Sequence, residues 1–172
     1  MKTCCFIGHR NVVSTPELYE KVKHTIIHLI EDSGVTHFLF GSASRFDDLC
    51  LQVVTDLKKE YTQIKRVYVR SFSSPIDKCY QDYLLTLYDD TLLPPSVENA
   101  GKASYVKRNQ EMIQASDFCV FYYDKQYQPS TRKLSKRSVS FYQPKSGTKL
   151  AYEYASQKSK NGEKTIINLT QS

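Results

Sequence analysis

Short apolar runs alternate with longer stretches of helical spacing along most of this chain. That alternation narrows the possible folds more than any other feature of the sequence. Thr3–Ile7, Thr36–Phe40, Ile64–Val69, Phe118–Tyr123 and Thr165–Leu169 read as strands, the first two closed by Gly8 and Gly41. Ser14-Thr15-Pro16-Glu17 is a helix start, with a hydroxyl cap, an early proline and an acid in the first turn. Leu18, Val22, Ile26, Leu29 and Ile30 then recur at helical spacing until Gly34. Further helices are predicted from Ser44 or Arg45 to about Tyr61, over Pro75–Tyr88, over Ser104–Ala115 and over Ser146–Lys160. The last of these turns Leu150, Ala151 and Tyr154 toward the core. Pro94-Pro95 and Asn99-Ala100-Gly101 mark Asp89–Lys102 as a loop.

Strands alternating with helices imply crossover connections and a mainly parallel central sheet covered on both faces, an α/β three-layer sandwich. Cys4–Ile7, Phe38–Phe40 and Phe118–Tyr123 are continuously apolar, as strands buried on both faces should be. A length of 172 residues suits one domain spanning 1–172. With 40% hydrophobic and 24% charged residues the chain is not a disordered one. No apolar run approaches the roughly 20 residues of a spanning helix. The apolar stretch at Met1–Gly8 is too short for a secretory signal and lacks a small-residue cleavage site. The expectation is a soluble cytoplasmic protein with no membrane partner.

The five cysteines are odd in number and form no C-x-x-C pair, which argues against a disulfide framework and a zinc knuckle. His24 and His28 lie four apart on a helix without the acid of an H-E-x-x-H pattern, so they read as a surface pair. No metal site and no cofactor are expected.

The formal net charge of +6 is concentrated in one place. Lys125, Arg132, Lys133, Lys136, Arg137 and Lys145 fall in a segment with no acid, and the rest of the chain holds 18 basic and 18 acidic groups. Residues 125–145 therefore read as a basic loop or hairpin excursion on a neutral domain.

In parallel sheets ligands bind beyond the carboxyl ends of the strands. Here those ends carry Gly8-His9-Arg10, Gly41-Ser42 followed by Asp47, and Tyr123-Asp124, while Ser146-Gly147-Thr148 opens the last helix. Glycine admits close approach, hydroxyls donate hydrogen bonds, and free N–H groups at a helix start favour anions. Arg10 and Arg108 offer bidentate contacts to phosphate or carboxylate. Each signal alone has a plainer explanation: turn glycines, a helix cap, an acid set against the helix dipole, a satisfied histidine. Their joint placement is what suggests a nucleotide or sugar-phosphate site. There is no G-x-G-x-x-G and no G-x-x-x-x-G-K-[ST], so ordinary dinucleotide and P-loop sites are not indicated.

Phe6-Ile7-Gly8-His9-Arg10, Gly41-Ser42 with Asp47, Tyr105-Val106-Lys107-Arg108-Asn109-Gln110-Glu111-Met112 and Ser146-Gly147-Thr148 stand in an order and spacing that resemble the SLOG superfamily. This is the Rossmann-like group that joins the Lonely Guy phosphoribohydrolases and DNA-processing protein A. The nearest likeness is to its uncharacterised bacterial branch with a G-H-R strand end and a Y-x-x-R-N-x-x-M helix. The resemblance implies a Rossmann-like sandwich and a nucleotide-like ligand near Gly8, His9, Arg10, Gly41, Ser42, Asp47, Arg108, Asn109, Ser146, Gly147 and Thr148. It also implies self-association through helices as a homo-oligomer. Lonely Guy enzymes release a base from a nucleoside monophosphate with an Arg, matched by Arg108, and a Glu in P-G-G-x-G-T-x-x-E. Here Ala151 stands three residues after Thr148, and Glu153 comes two later. That offset turns the carboxylate by about 200° around the helix.

Three functions remain open on the sequence. One is a sensor or binding module for a nucleotide-derived ligand. The second is N-glycosidase chemistry, with Glu153, Glu111 or Asp47 as the acid and Arg108 on the phosphate. Glu111 shares a helix face with Arg108, where a simple ion pair is the alternative. The third is nucleic-acid binding through residues 125–145, where Tyr127, Phe141 and Tyr142 interleave with the cations. The same segment could instead be a lid or a solvated excursion.

Overall fold

A computed structural model describes residues 1–41, 44–71 and 77–170. In chain order the elements are β1 (Lys2–Gly8), α1 (Pro16–Glu31), β2 (Val35–Phe40), α2 (Arg45–Leu57), β3 (Lys65–Val69), α3 (Lys78–Leu87), β4 (Asp90–Leu92), α4 (Pro95–Glu98), a 3-10 turn at Gly101–Ala103, α5 (Ser104–Ala115), β5 (Phe118–Tyr122), β6 (Arg132–Lys133), β7 (Phe141–Tyr142), α6 (Gly147–Ser159) and β8 (Thr165–Asn168).

Six strands form one sheet in the order β4-β3-β2-β1-β5-β8, every neighbouring pair parallel. The alternation of side chains along each strand splits the core in two. Cys4, Phe6, Phe38, Phe40 and Val120 pack with Val22, Ile26, Phe46 and Val53 of α1 and α2. Cys5, Ile7, Leu39, Cys119 and Phe121 pack with Met112, Ile113, Ala151 and Ala155 of α5 and α6. The continuous apolar runs thus serve two helical layers at once, and the fold is the expected α/β Rossmann-like sandwich. The chain leaves β1 for β2 on one side and later returns to β5 on the other. The switch point therefore lies between β1 and β5.

The helices start where their caps predict. Thr15 accepts the Leu18 N–H at 3.1 Å and Pro16 stands in the first turn of α1. Ser44 caps α2 and Ser146 caps α6.

Several expectations need correction. The supposed loop at 89–102 contains β4, α4 and the 3-10 turn. Asp89 makes this possible: its carboxylate accepts the Arg66 backbone N–H at 2.8 Å and takes Arg66 Nε and Nη2 at 3.2 Å each. It thus docks a short edge strand that carries almost no apolar signal of its own. Helix α2 stops at Leu57 and not near Tyr61, where the chain tightens to i→i−3 bonds, the Lys59 and Glu60 N–H groups donating to the Asp56 and Leu57 carbonyls at 3.2 and 3.0 Å. The third helix begins at Lys78, capped by Asp77, and its expected start, Pro75, lies outside the described residues. On α6 the buried residues are Thr148, Ala151 and Ala155, with Leu150 only partly covered, so that small side chains let the helix lie close to the sheet. The basic segment carries a two-strand antiparallel hairpin, β6 with β7. Among the described residues no helix is long and apolar enough to cross a membrane.

Candidate functional site

Gly41, at the end of β2, is where the predicted residues converge. Its N–H donates to Asp47 Oδ2 at 3.2 Å, and its carbonyl accepts from Nη1 of Arg108. Asp47 sits in the first turn of α2, where its own N–H donates to Ser44 Oγ at 3.1 Å. Arg108 comes from the opposite helical layer, on α5. Two side chains from opposite layers therefore clasp one residue's backbone at a strand end.

This approach explains the glycine. A Cβ on Gly41 would lie 2.7 Å from both Arg108 Cδ and Met112 Sδ. Gly8 is needed for a parallel reason, since a Cβ there would lie 2.3 Å from the Phe46 ring of α2. Neither glycine has a positive φ, so it is space and not backbone conformation that both positions require.

Arg108 is 3% exposed. Its Nε and Nη2 each donate to Asn109 Oδ1 at 3.2 Å, and its guanidinium carbon lies 5.6 Å from the centre of the Tyr105 ring. Three of the five guanidinium N–H groups thus have acceptors among the described residues. Burial pushes its pKa below the ordinary arginine value, and the charge of Asp47 works against that fall. A guanidinium stays charged in such a setting, because its intrinsic basicity far exceeds neutral pH.

His9 occupies the switch point itself. Its Nε2 accepts the Asp124 N–H at 2.9 Å, which ties the end of β1 to the end of β5, and its ring stacks on Tyr127 with centroids 4.0 Å apart. Burial lowers its pKa from the usual histidine value, against the opposing pull of Asp124. Arg10 is exposed, and its carbonyl accepts the Arg45 N–H at 3.1 Å, joining this loop to the start of α2.

The other predicted residues lie apart. Ser146 is buried and spends its hydroxyl on the Lys149 N–H at 3.4 Å. Thr148 is buried beside it in the first turn of α6, whereas Gly147 is exposed, and a Cβ added there would meet nothing within 4 Å. Glu111 accepts a hydrogen bond from Ser96 Oγ of α4 at 2.5 Å, and Glu153 is exposed on α6. Ser42 lies outside the described residues. Among the described residues no group of three or more His, Cys, Asp or Glu side chains could hold a metal ion.

A cleft of about 960 Å³ opens beyond β1, β5 and β8, lined among others by His9, Asn11, Lys21, Tyr123 and Tyr127. Tyr127 was marked in the sequence for nucleic-acid stacking and not for this cleft, and Lys21 was not marked at all.

A family model described as the YspA SLOG family matches residues 11–151. The chain belongs to the YspA SLOG family. No curated protein matches it. The matched span includes the Gly41 turn, Asp47 and the α5 helix that carries Arg108, and membership points to nucleotide-related binding or processing.

Proposed function

We propose that this SLOG domain is a binding or sensor module for a nucleotide or nucleotide-derived ligand that bears a phosphate, taken up at the carboxyl ends of the central strands. The observation that carries the proposal is Arg108, a buried cation held over Gly41 beside the start of α2, three of whose five N–H groups have acceptors among the described residues. Phosphate recognition needs such a planar, permanently charged donor set, and a site behind a strand end keeps it away from bulk screening. Asp47 holds the Gly41 N–H, Asn109 orients the guanidinium, and Gly8 lets α2 close on β1. Arg10, Ser42 and the Ser146–Thr148 turn are further candidates for contact with the ligand.

The test is a thermal-shift panel of nucleoside mono-, di- and triphosphates, cyclic nucleotides and ADP-ribose, read on the wild type and on Arg108→Ala. Stabilisation of the wild type by at least one of them, absent in the variant, is expected. A shift that survives Arg108→Ala unchanged would move the site elsewhere. Release of free base from a monophosphate would replace a binding module by an enzyme.

A further inference from the structure

Neither the Gly41 cluster nor the His9 cleft uses two apolar surfaces that the fold leaves uncovered. The first is α3 with the edge strand β4. Leu84 is the only buried residue of α3. Tyr80, Tyr83 and Leu87 are exposed and fall within about 60° of one another around this helix. Leu85 and, on β4, Leu92 are exposed as well. The second surface is the hairpin of β6 and β7, with Leu134, Val139, Phe141 and Tyr142 exposed. Together these two short segments hold nine of the twelve exposed large apolar side chains among the described residues. Single apolar residues on a surface need no explanation, but a concentration of this kind marks a place where something docks.

Charge indicates the occupant. From Asp77 to Glu98 the chain carries five acids and one base, Lys78. Asp77, Asp82, Asp90 and Glu98 are exposed, whereas Asp89 is engaged by Arg66 and Lys58. The hairpin segment carries six bases and no acid, and Arg132, Lys133, Lys136 and Arg137 are all exposed. One chain thus presents an apolar surface of negative charge and an apolar arm of positive charge, which are complementary. They do not cover each other within a molecule, since both stay exposed in the folded chain. The arm springs from β5, four strand positions and roughly 19 Å across the sheet from β4. We infer that the hairpin of one copy docks on the α3–β4 surface of a second copy. Its apolar side chains cover the Tyr80, Tyr83 and Leu87 stripe, and its cations face the acids of that edge. The contact joins two different surfaces, arm to edge, and not like helices across a two-fold axis. It does not rest on the ligand proposed at Arg108.

The test is sedimentation velocity of the full chain at roughly 20 to 500 μM in about 50 mM salt, on the wild type and on two charge-reversed variants. One reverses the arm: Arg132→Glu, Lys133→Glu, Lys136→Glu and Arg137→Glu. The other reverses the edge: Asp82→Lys, Asp90→Lys and Glu98→Lys. All these sites are exposed, and circular dichroism checks the folding of both variants. The wild type should associate as concentration rises and come apart in about 500 mM salt. Each variant alone should associate about tenfold more weakly or worse, because like charges then face each other. An equimolar mixture of the two should form a complex again, since the reversed arm fits the reversed edge. Tyr83→Ser, which changes no charge, should also weaken association. Association that survives both reversals unchanged would run through another face and overturn the inference. So would two monomeric variants that stay apart on mixing. A wild type that is monomeric throughout overturns it with no variant needed. In that case a single-stranded oligonucleotide bound by the wild type and not by the arm variant would give the hairpin to nucleic acid.

Discussion

Three glycines that look alike in sequence have different physical roles. Gly8 faces the Phe46 ring, Gly41 faces Arg108 and Met112, and Gly147 faces open space. Gly8→Ala forces a methyl against a packed ring and is expected to destabilise the fold by about 2 kcal/mol or more, measured by urea denaturation. Gly41→Ala meets longer, more adaptable side chains. It should cost about 1–2 kcal/mol and also weaken nucleotide binding, because the guanidinium has to move. Gly147→Ala should leave stability unchanged or slightly improved, since alanine is the better helix former. A loss of stability at Gly147 comparable to that at Gly8 would contradict this ranking. The sequence marked all three positions for the same reason, glycine near a strand end or helix start. Only the far partner tells them apart, and Phe46, Arg108 and Met112 lie tens of residues away along the chain. The pairing of Arg108 with Asn109 and Gly41 was visible in the motif only as a likeness; that the cation is buried depends on how α5 lies on the sheet.

At the scale of elements, β4 shows most clearly what periodicity cannot reach. Strands β1, β2 and β5 are buried on both faces and announce themselves by composition. β4 is a three-residue edge strand with only its middle residue partly buried, and it is held in register by an ion cluster. Burial alone would raise the Asp89 pKa, but the Arg66 hydrogen bonds and Lys58, 3.3 Å away, outweigh it and hold the group at about 2, below the ordinary 3.8. A carboxylate with a depressed folded pKa stabilises the native state above its unfolded value, and that contribution is lost as pH falls through the folded one. Asp89 should therefore make stability decline between about pH 4 and pH 2. Asp89→Asn should cost about 2 kcal/mol at neutral pH and flatten the decline across that window, as read from urea midpoints at stepped pH. An unchanged acid profile would mean that β4 is docked by something other than this cluster.

For the whole molecule, the sequence divided the charge correctly into a neutral body and a basic segment. The hairpin of β6 and β7 stands out from the sheet with Leu134, Val139, Phe141 and Tyr142 exposed, and Lys133 lies 5.9 Å from the Phe141 ring centre. None of its side chains enters either core cluster. Replacing residues 128–143 by a short Gly/Ser linker should therefore leave the melting temperature within a few degrees of the wild type, by calorimetry, while removing Arg132, Lys133, Lys136 and Arg137. A large fall in melting temperature would show that the hairpin is part of the core after all. The α/β architecture and the family were legible because buried parallel strands and glycine turns are local signals. Of the cleft at His9, the strand ends Gly8-His9-Arg10 and Tyr123-Asp124 were marked in the sequence, whereas its walls from the start of α1, the end of β8 and Tyr127 were not, since they depend on distant segments meeting in space.

The most direct test of the central claim is native mass spectrometry of the purified protein and of Arg108→Ala, with circular dichroism as the check that both are folded. A phosphate-bearing nucleotide or nucleotide derivative should be retained by the wild type, or taken up from the thermal-shift panel, and lost in the variant. A folded wild type that neither carries nor takes up any such compound would contradict it.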